Sequence, residues 1–242
     1  MGEVQIAKGD APRVAAIIPA KDEADRVGAT IAAVAALPHV DLVIVVDDGS
    51  SDETPRVAAA AGAIVVRHAT NQGKSTALAT GVARLAQEER RRGLHPHLLL
   101  FVDADLQGTA ASLEPLIEVV RSGRADLAVA NIPRHSSSHG AGRVVRLARS
   151  QIVAMTGCDI SQPLNGMRCL TREAFDAASP LAPGWGVEAA MLVDVLRAGL
   201  RVREVPVHFE HRASGANWAG RLHRARQLRD VSRAMAERRF RS

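Results

Sequence analysis

The chain has 242 residues, 47% hydrophobic and 24% charged, with 2% aromatic residues and no Tyr, a formal net charge of +5 and a pI near 10.1. That length holds one large domain or two small ones, and the core it can build is aliphatic. The scarcity of aromatic rings excludes a stacking platform for single-stranded nucleic acid; two cysteines, Cys158 and Cys169, exclude a disulfide framework; and no apolar run reaches the ~18 residues of a membrane span. The opening MGEVQIAKGD has no apolar leader stretch, so a reducing cytoplasm is the expected compartment.

In chain order, 13–19 (RVAAIIP) reads as a strand and about 24–36 as a helix. Residues 41–46 (DLVIVV) read as a second strand with a helix near 53–61, and 63–67 (AIVVR) as a third, followed by a long helix from Lys74 to about residue 90. A fourth strand at 97–102 (HLLLFV) leads to a helix near 112–122 and to a fifth strand at 125–130 (ADLAVA). Short continuous runs of Val, Ile and Leu are those of buried parallel strands. Their alternation with helices predicts the α/β class, an open doubly wound and mostly parallel sheet with helices on both faces. The polar stretch 134–143 (RHSSSHGAGR) reads as a loop, with a helix after it to about 156. A strand near 167–170, a helix near 187–198, a strand near 201–207 and a basic C-terminal helix complete the chain. No repeat or linker divides it, so one domain with a C-terminal helical elaboration is expected.

Charge is unevenly spread. Residues 221–242 hold eight Arg against Asp230 and Glu237, a net of +6, which leaves the other 220 residues at −1. Leu222, Ala225, Leu228, Ser232 and Met235 make one narrow apolar stripe along this tail, with Arg224, Arg226, Arg229, Arg233 and Arg238 over most of the rest. The stripe is too narrow and too poor in Trp and Phe for a good bilayer anchor, so docking on the body is favoured.

Two strands end in acids. The second gives Asp47-Asp48-Gly49-Ser50-Ser51-Asp52, and the fourth gives Asp103-Ala104-Asp105-Leu106-Gln107. Ligands of open α/β sheets bind beyond the carboxyl ends of the strands. In extended chain Asp103 and Asp105 point the same way and can meet one ion, with Gln107 on the same side, adding a ligand directly or through water. Hard oxygen donors suit Mg²⁺ or Mn²⁺. The first cluster reads equally as a turn with a helix N-cap. Between the two clusters lies HATNQGKSTAL (68–78), whose Gly73-Lys74-Ser75 looks like the end of a P-loop. His68 stands where the first glycine of G-x-x-x-x-G-K-[ST] belongs, so the amide nest of that loop is not made. The constellation suits a metal-bound diphosphate, with Asp103 and Asp105 on the metal and Lys74 on the phosphates.

At this point the sequence resembles the GT-A nucleotide-sugar glycosyltransferases of family 2. The motifs are IIPAKDE (17–23), VVDDGSSDET (45–54), NQGKSTAL (71–78) and VDADLQG (102–108). Two branches compete. DADLQ, NGMRCLTREAF (165–175) and VREVPVHFEHR (202–212) resemble the polyprenyl- and dolichyl-phosphate mannose synthases. GAGRVVRLA (140–148), QPLNG (162–166) and LAPGWGVEAAMLVD (181–194) resemble the glucosyl-3-phosphoglycerate synthases. The resemblance implies a GT-A domain over 1–242, with a nucleotide-sugar half at 1–110, an acceptor half at 111–220 and the basic helix at 221–242. It places Pro19, Lys21 and Glu23 against base and ribose, Asp48 on the nucleoside, Lys74 on the diphosphate, and Asp103, Asp105 and His211 on the metal. Arg143 offers a fork to an anionic acceptor, and Glu188 orients a sugar or acceptor hydroxyl. Val145, Met167 and Trp185 depart from the phosphoglycerate pattern, which has a hydroxyl, an acid and a tyrosine there.

The implied reaction moves a sugar from a UDP- or GDP-sugar to a small anionic acceptor or a lipid phosphate; retaining or inverting outcome stays open. A nucleotidyltransferase is the competing enzyme class, but IIPAKDEADR lacks its glycine- and arginine-rich loop. A basic nucleic-acid- or membrane-binding protein would have no use for the acids. No nucleic-acid partner is expected; peripheral membrane contact through 221–242 and a homodimer stay open.

Overall fold

β1 (Val14–Ala20) is buried at every residue except Pro19, because it runs inside the sheet between β2 (Val40–Asp47) and β4 (Leu98–Phe101), parallel to both. The structure, a computed structural model, describes residues 12–132, 142–207 and 219–239. β3 (Ile64–Arg67) lies parallel beyond β2. On the other side the direction changes. β6 (Arg168–Leu170) runs antiparallel between β4 and β5 (Leu127–Asn131), and β7 (Val202–Pro206) is parallel to β5 at the edge. The order is β3-β2-β1-β4-β6-β5-β7. The expected mostly parallel α/β sheet is observed, with one antiparallel strand inserted.

Side chains alternate across the strands, and each face has its own helical layer. Val14, Ala16 and Ile18 pack with Val27, Ile31 and Val34 of α1 (Ala24–Ala35), Ala58 of α2 (Thr54–Ala60), and Leu116 and Ile117 of α4 (Glu114–Arg121). Ala15, Ile17, Ile44 and Phe101 face α3 (Lys74–Arg92), α5 (Gly142–Thr156), α6 (Arg172–Ala177), α7 (Val187–Arg197) and α8 (Ala219–Arg239). α3 lies close on β1 because residue 81 is Gly: a Cβ there would stand 2.4 Å from Ile17 Cγ2. α6 was not expected from the sequence. It is one and a half turns long, too short for a periodic pattern, and its only signal is the cap, Thr171 Oγ1 accepting from Ala174 N at 3.1 Å.

α8 docks on the body as expected, with Met235 of the expected stripe buried, but the docked face is rotated from the rest of that stripe. Val231, Ala234 and Met235 are buried in the core beside α5, α7 and the turn Gly184–Gly186, while Leu228 is 42% exposed and Ser232 is also exposed. Arg238, expected in solvent, is 3% exposed and grips Asp194 of α7. The stripe reading missed at Leu228, Ser232 and Arg238 because it treated arginine as solvated; a paired guanidinium on an apolar stem can line an interface. The side chains of Leu222 and Ala225 lie outside the described residues. Among the described residues no helix is long and apolar enough to cross a membrane.

Candidate active site

β1 leads leftward to β2 and β4 leads rightward towards β5, so the loops leaving β1 and β4 part and open a crevice at their carboxyl ends, the usual ligand site of such sheets. The turn after β2 borders it. Gly49 has φ of 73° and no room for a side chain, since a Cβ would meet Asn71 N at 2.8 Å. That contact brings Asp48 under the Lys74 loop. Asp48 Oδ1 accepts from Gln72 N and Oδ2 from Gly73 N, both at 2.8 Å, and His68 Nδ1 lies 2.7 Å from Oδ1. His68 Nε2 reaches Thr80 Oγ1 at 3.0 Å. The histidine in the place of a P-loop glycine is thus the partner of an aspartate that builds the loop. Asp48, expected on the nucleoside, is 5% exposed and accepts from this loop with both oxygens, so it also builds the loop.

Burial works to raise the Asp48 pKa, but the amides of Gln72 and Gly73 and the His68 ring outweigh it and hold the carboxyl below its ordinary 3.8. A depressed carboxylate pKa gives stability that is full above the unfolded value and is lost as pH falls through the folded one. Wild type should therefore lose more stability than Asp48→Asn between about pH 5 and about pH 3. Parallel acid unfolding curves for the two proteins would count against this account of the loop.

The β1 loop is tied to the same turn. Lys21 Nζ bonds Asp22 Oδ2 at 2.7 Å and Gly49 O at 3.2 Å, Ser51 N donates to Asp22 Oδ1 at 2.8 Å, and Glu23 N donates to Thr54 Oγ1 at 2.8 Å. Pro19 is half-buried where β1 ends. Glu23 pairs with Arg26 at 2.6 Å, and Arg26 also faces Asp105 at 3.8 Å. Burial pushes the Glu23 carboxyl up, and Asp105 adds to this against the pull of Arg26.

Lys74 is the first residue of α3, after Gly73 with φ of 89°. Its Nζ stands 2.7 Å from Asp103 Oδ1, beyond β4, and 3.1 Å from Glu188 Oε1, in the first turn of α7. Burial would lower the Lys74 pKa, but Asp103 and Glu188 outweigh it and raise it, so the ammonium stays charged. Glu188 is 6% exposed and would be costly there without this cation. Its first-turn position on a helix also favours the negative charge.

The acidic turn differs from the expected extended chain. β4 ends at Phe101, residues 104–105 form a turn, and Gln107 has φ of 51° where a 3-10 turn begins. Gln107 N donates to Thr30 Oγ1 at 2.7 Å. Alternation therefore does not set which way Asp103, Asp105 and Gln107 point. Asp103 is drawn to Lys74, while the half-exposed Asp105 faces Arg26. Arg143 lies in the first turn of α5, with its side chain outside the described residues, as is all of His211.

Sequence reasoning missed Arg168. It is 1% exposed and donates from Nε to Asn165 O at 2.9 Å, from Nη2 to Pro163 O at 2.9 Å and from Nη1 to Glu188 O at 2.7 Å. Burial lowers its pKa to about 10, against the pull of Glu188 and Asp103, so it remains a cation at neutral pH. Its signal was a lone charge inside the apolar run Met167-Arg168-Cys169-Leu170, which implies a buried and satisfied ion. Arg26 was also missed and does not stand out in its sequence context; His68 was noted only as a missing glycine, and its pairing with Asp48 was not read.

The side chains of Asp103 and Asp105 are 37% and 50% exposed and offer only oxygen. Among the described residues no cluster of three or more His, Cys, Asp or Glu could hold an ion alone. Two carboxylates that leave most positions to water and phosphate oxygens fit the habit of Mg²⁺.

The glycosyl transferase family 2 profile matches residues 15–177. The glucosyl-3-phosphoglycerate synthase of Mycolicibacterium paratuberculosis is 34% identical over 212 residues, 77% of this chain. The match spans 61% of that protein, so the chain covers about three fifths of the length of this curated relative. A crystal structure of the Mycobacterium tuberculosis glucosyl-3-phosphoglycerate synthase with phosphoglyceric acid is similar with a TM-score of 0.74 and 28% identity, over 94% of this chain and 80% of that one. Another of the same protein, holding Mn²⁺, UDP and glucosyl-3-phosphoglycerate, has a TM-score of 0.74 and 27% identity, over 94% and 80%.

Proposed function

This chain belongs to glycosyl transferase family 2, and we propose that it transfers a sugar from a nucleoside diphosphate sugar to a small anionic acceptor with the help of Mg²⁺ or Mn²⁺. The observation that carries this reading is the Lys74 ammonium, fixed between Asp103 and Glu188 in the crevice beyond β1 and β4. The similar Mycobacterium tuberculosis structures, with UDP, Mn²⁺ and phosphoglycerate species, support the donor, the ion and the acceptor class.

Asp103 and Asp105 would hold the ion, which supplies charge stabilisation to the departing diphosphate. Lys74 meets the same growing negative charge with a fixed ammonium, and a preorganised cation needs no reorganisation as the bond breaks. Glu188, held from behind by Arg168 and in front by Lys74, is placed to accept a hydrogen bond from a sugar or acceptor hydroxyl. Lys21 and Glu23 border the nucleoside end, and Arg143 would grip the acceptor anion. Both cysteines are unpaired, which suits a reducing cytoplasm. The docked α8 favours a small acceptor over a lipid phosphate.

Incubation with UDP- and GDP-sugars, Mn²⁺ and 3-phosphoglycerate or other small anionic acceptors, read by mass spectrometry, tests the proposal. A glycosylated acceptor and released nucleoside diphosphate are expected; product only with a polyprenyl phosphate would replace the acceptor class. Lys74→Ala should weaken UDP binding by about 1–3 kcal/mol, the range of a charged hydrogen bond. Equal affinities of the two proteins by calorimetry would take Lys74 away from the diphosphate.

A further inference from the structure

Gly166 faces the charged centre with its missing side chain. A Cβ on it would lie 2.4 Å from Lys74 Nζ and 3.0 and 3.2 Å from the two carboxylate oxygens of Asp103. Gly166 is absent from the positive-φ glycines of the described chain, so its backbone does not require glycine. Space is what bears on it: a Cβ would take the room that the Lys74 ammonium fills and would press on the Asp103 carboxylate.

The loop cannot simply retreat from a larger residue. Arg168 binds it from within through the carbonyls of Pro163 and Asn165, and the same guanidinium binds the carbonyl of Glu188. One buried arginine therefore fixes both the glycine beside Lys74 and the glutamate that pairs with Lys74. Met167 N donates to Asn165 Oδ1 at 2.9 Å, and Gln162 Nε2 donates to Asn131 Oδ1 at 2.8 Å, which ties the loop to the end of β5.

We propose that Gly166 is a positioning residue for sugar transfer, leaving the room in which Lys74 stands between Asp103 and Glu188, with Arg168 clamping loop and glutamate at that distance. The role in transfer rests on the function proposed above. Gly166→Ala meets the free end of a flexible lysine rather than backbone, so the protein folds and Lys74 shifts. Nζ must move by about 1 Å to reach ordinary contact at 3.4 Å, and a misplacement of about 1 Å can lower a rate by about 10²-fold.

The test is a cycle of Gly166→Ala, Lys74→Ala and the double variant. With Mn²⁺ present, Gly166→Ala should weaken UDP binding about tenfold and lower kcat by about 10- to 100-fold, with the acceptor KM within about twofold of wild type. In the Lys74→Ala background the same substitution should lose most of its effect on UDP affinity, keeping only what the tight approach to the Asp103 oxygens contributes, because its main clash is with the lysine. Without ligand, Gly166→Ala should lower Tm by about 2–4 °C in wild type and hardly at all in Lys74→Ala. Arg168→Lys, which keeps the charge but not three bonds, should show the Gly166→Ala pattern in milder form. Additive losses in both cycles, or a Gly166→Ala protein equal to wild type, would overturn the proposal. A wild type that neither binds UDP nor transfers sugar would overturn the transferase reading instead, while the thermal cycle still decides the Gly166–Lys74 contact.

Discussion

Asp103→Ala is expected to lower transfer by about 10³-fold or more while the protein stays folded. The side chain is 37% exposed in the loop after β4 and belongs to neither core cluster. Its removal leaves Lys74 with Glu188 at 3.1 Å, so the lysine keeps a partner. On the proposed function the loss would fall on the transition state, where the departing diphosphate would need a cation held by this carboxylate. Such stabilisation is worth several kcal/mol, and each 1.36 kcal/mol is tenfold in rate. Asp103→Asn, which keeps the shape and loses the charge, should fall between alanine and wild type. EDTA should mimic Asp103→Ala, and added Mn²⁺ should restore wild type but not the variant. The assay is initial rate against metal concentration, with Tm as the folding control. Full activity in EDTA, or in Asp103→Ala, would remove the metal from the mechanism.

Much of this site was legible because its chemistry lies at strand ends. The seven strands of the described residues could be placed to within about two residues, since most are short apolar runs bounded by polar residues, β6 and β7 with their charges being the exceptions. Asp103, Lys74 and Glu188 were each singled out from sequence, and the fold brings them together from the end of β4 and the starts of α3 and α7. What could not be read was direction and pairing. Strand β6 has three residues, Arg168-Cys169-Leu170, and nothing in them says that they run against β4 and β5. The extended geometry assumed for Asp103 to Gln107 was replaced by a turn because β4 stops two residues before Asp103. The resemblance gave Asp48 a nucleoside role and could not show its part in the scaffold, because the two amides that reach it come from a segment 24 and 25 residues away. Periodicity reports which face is apolar, and it carries no information about which charge meets which across the fold.

Arg238 gives the largest expected effect on stability. Its guanidinium, 3% exposed, donates from Nε to both Asp194 oxygens at 2.9 and 2.8 Å, and its carbonyl accepts from Arg197 Nη1 at 2.6 Å. Removing one partner of a buried pair leaves the other charge desolvated and costs about 3–5 kcal/mol. The side chain of Asp194 is 20% exposed, so the lower end applies and Arg238→Ala should cost about 3 kcal/mol, or roughly 6 °C or more in Tm. Met235→Ala, a cavity in the core that α8 helps to close, should cost about 2 kcal/mol or more. Asp194→Ala should cost less than Arg238→Ala, and the double variant should be little worse than the arginine variant alone, because the stranded charge is gone. The same docking bears on the proposed acceptor. With Val231, Ala234 and Met235 buried in the body, the described exposed face of α8 offers a bilayer Leu228 and arginines, and the attraction of the charges is screened within about 8 Å at physiological salt. Sedimentation with anionic liposomes at about 0.15 M salt should therefore leave wild type mostly in solution. Firm binding at that salt, together with an Arg238→Ala protein as stable as wild type, would mean that α8 leaves the body for the membrane, and would turn the choice of acceptor to a lipid phosphate.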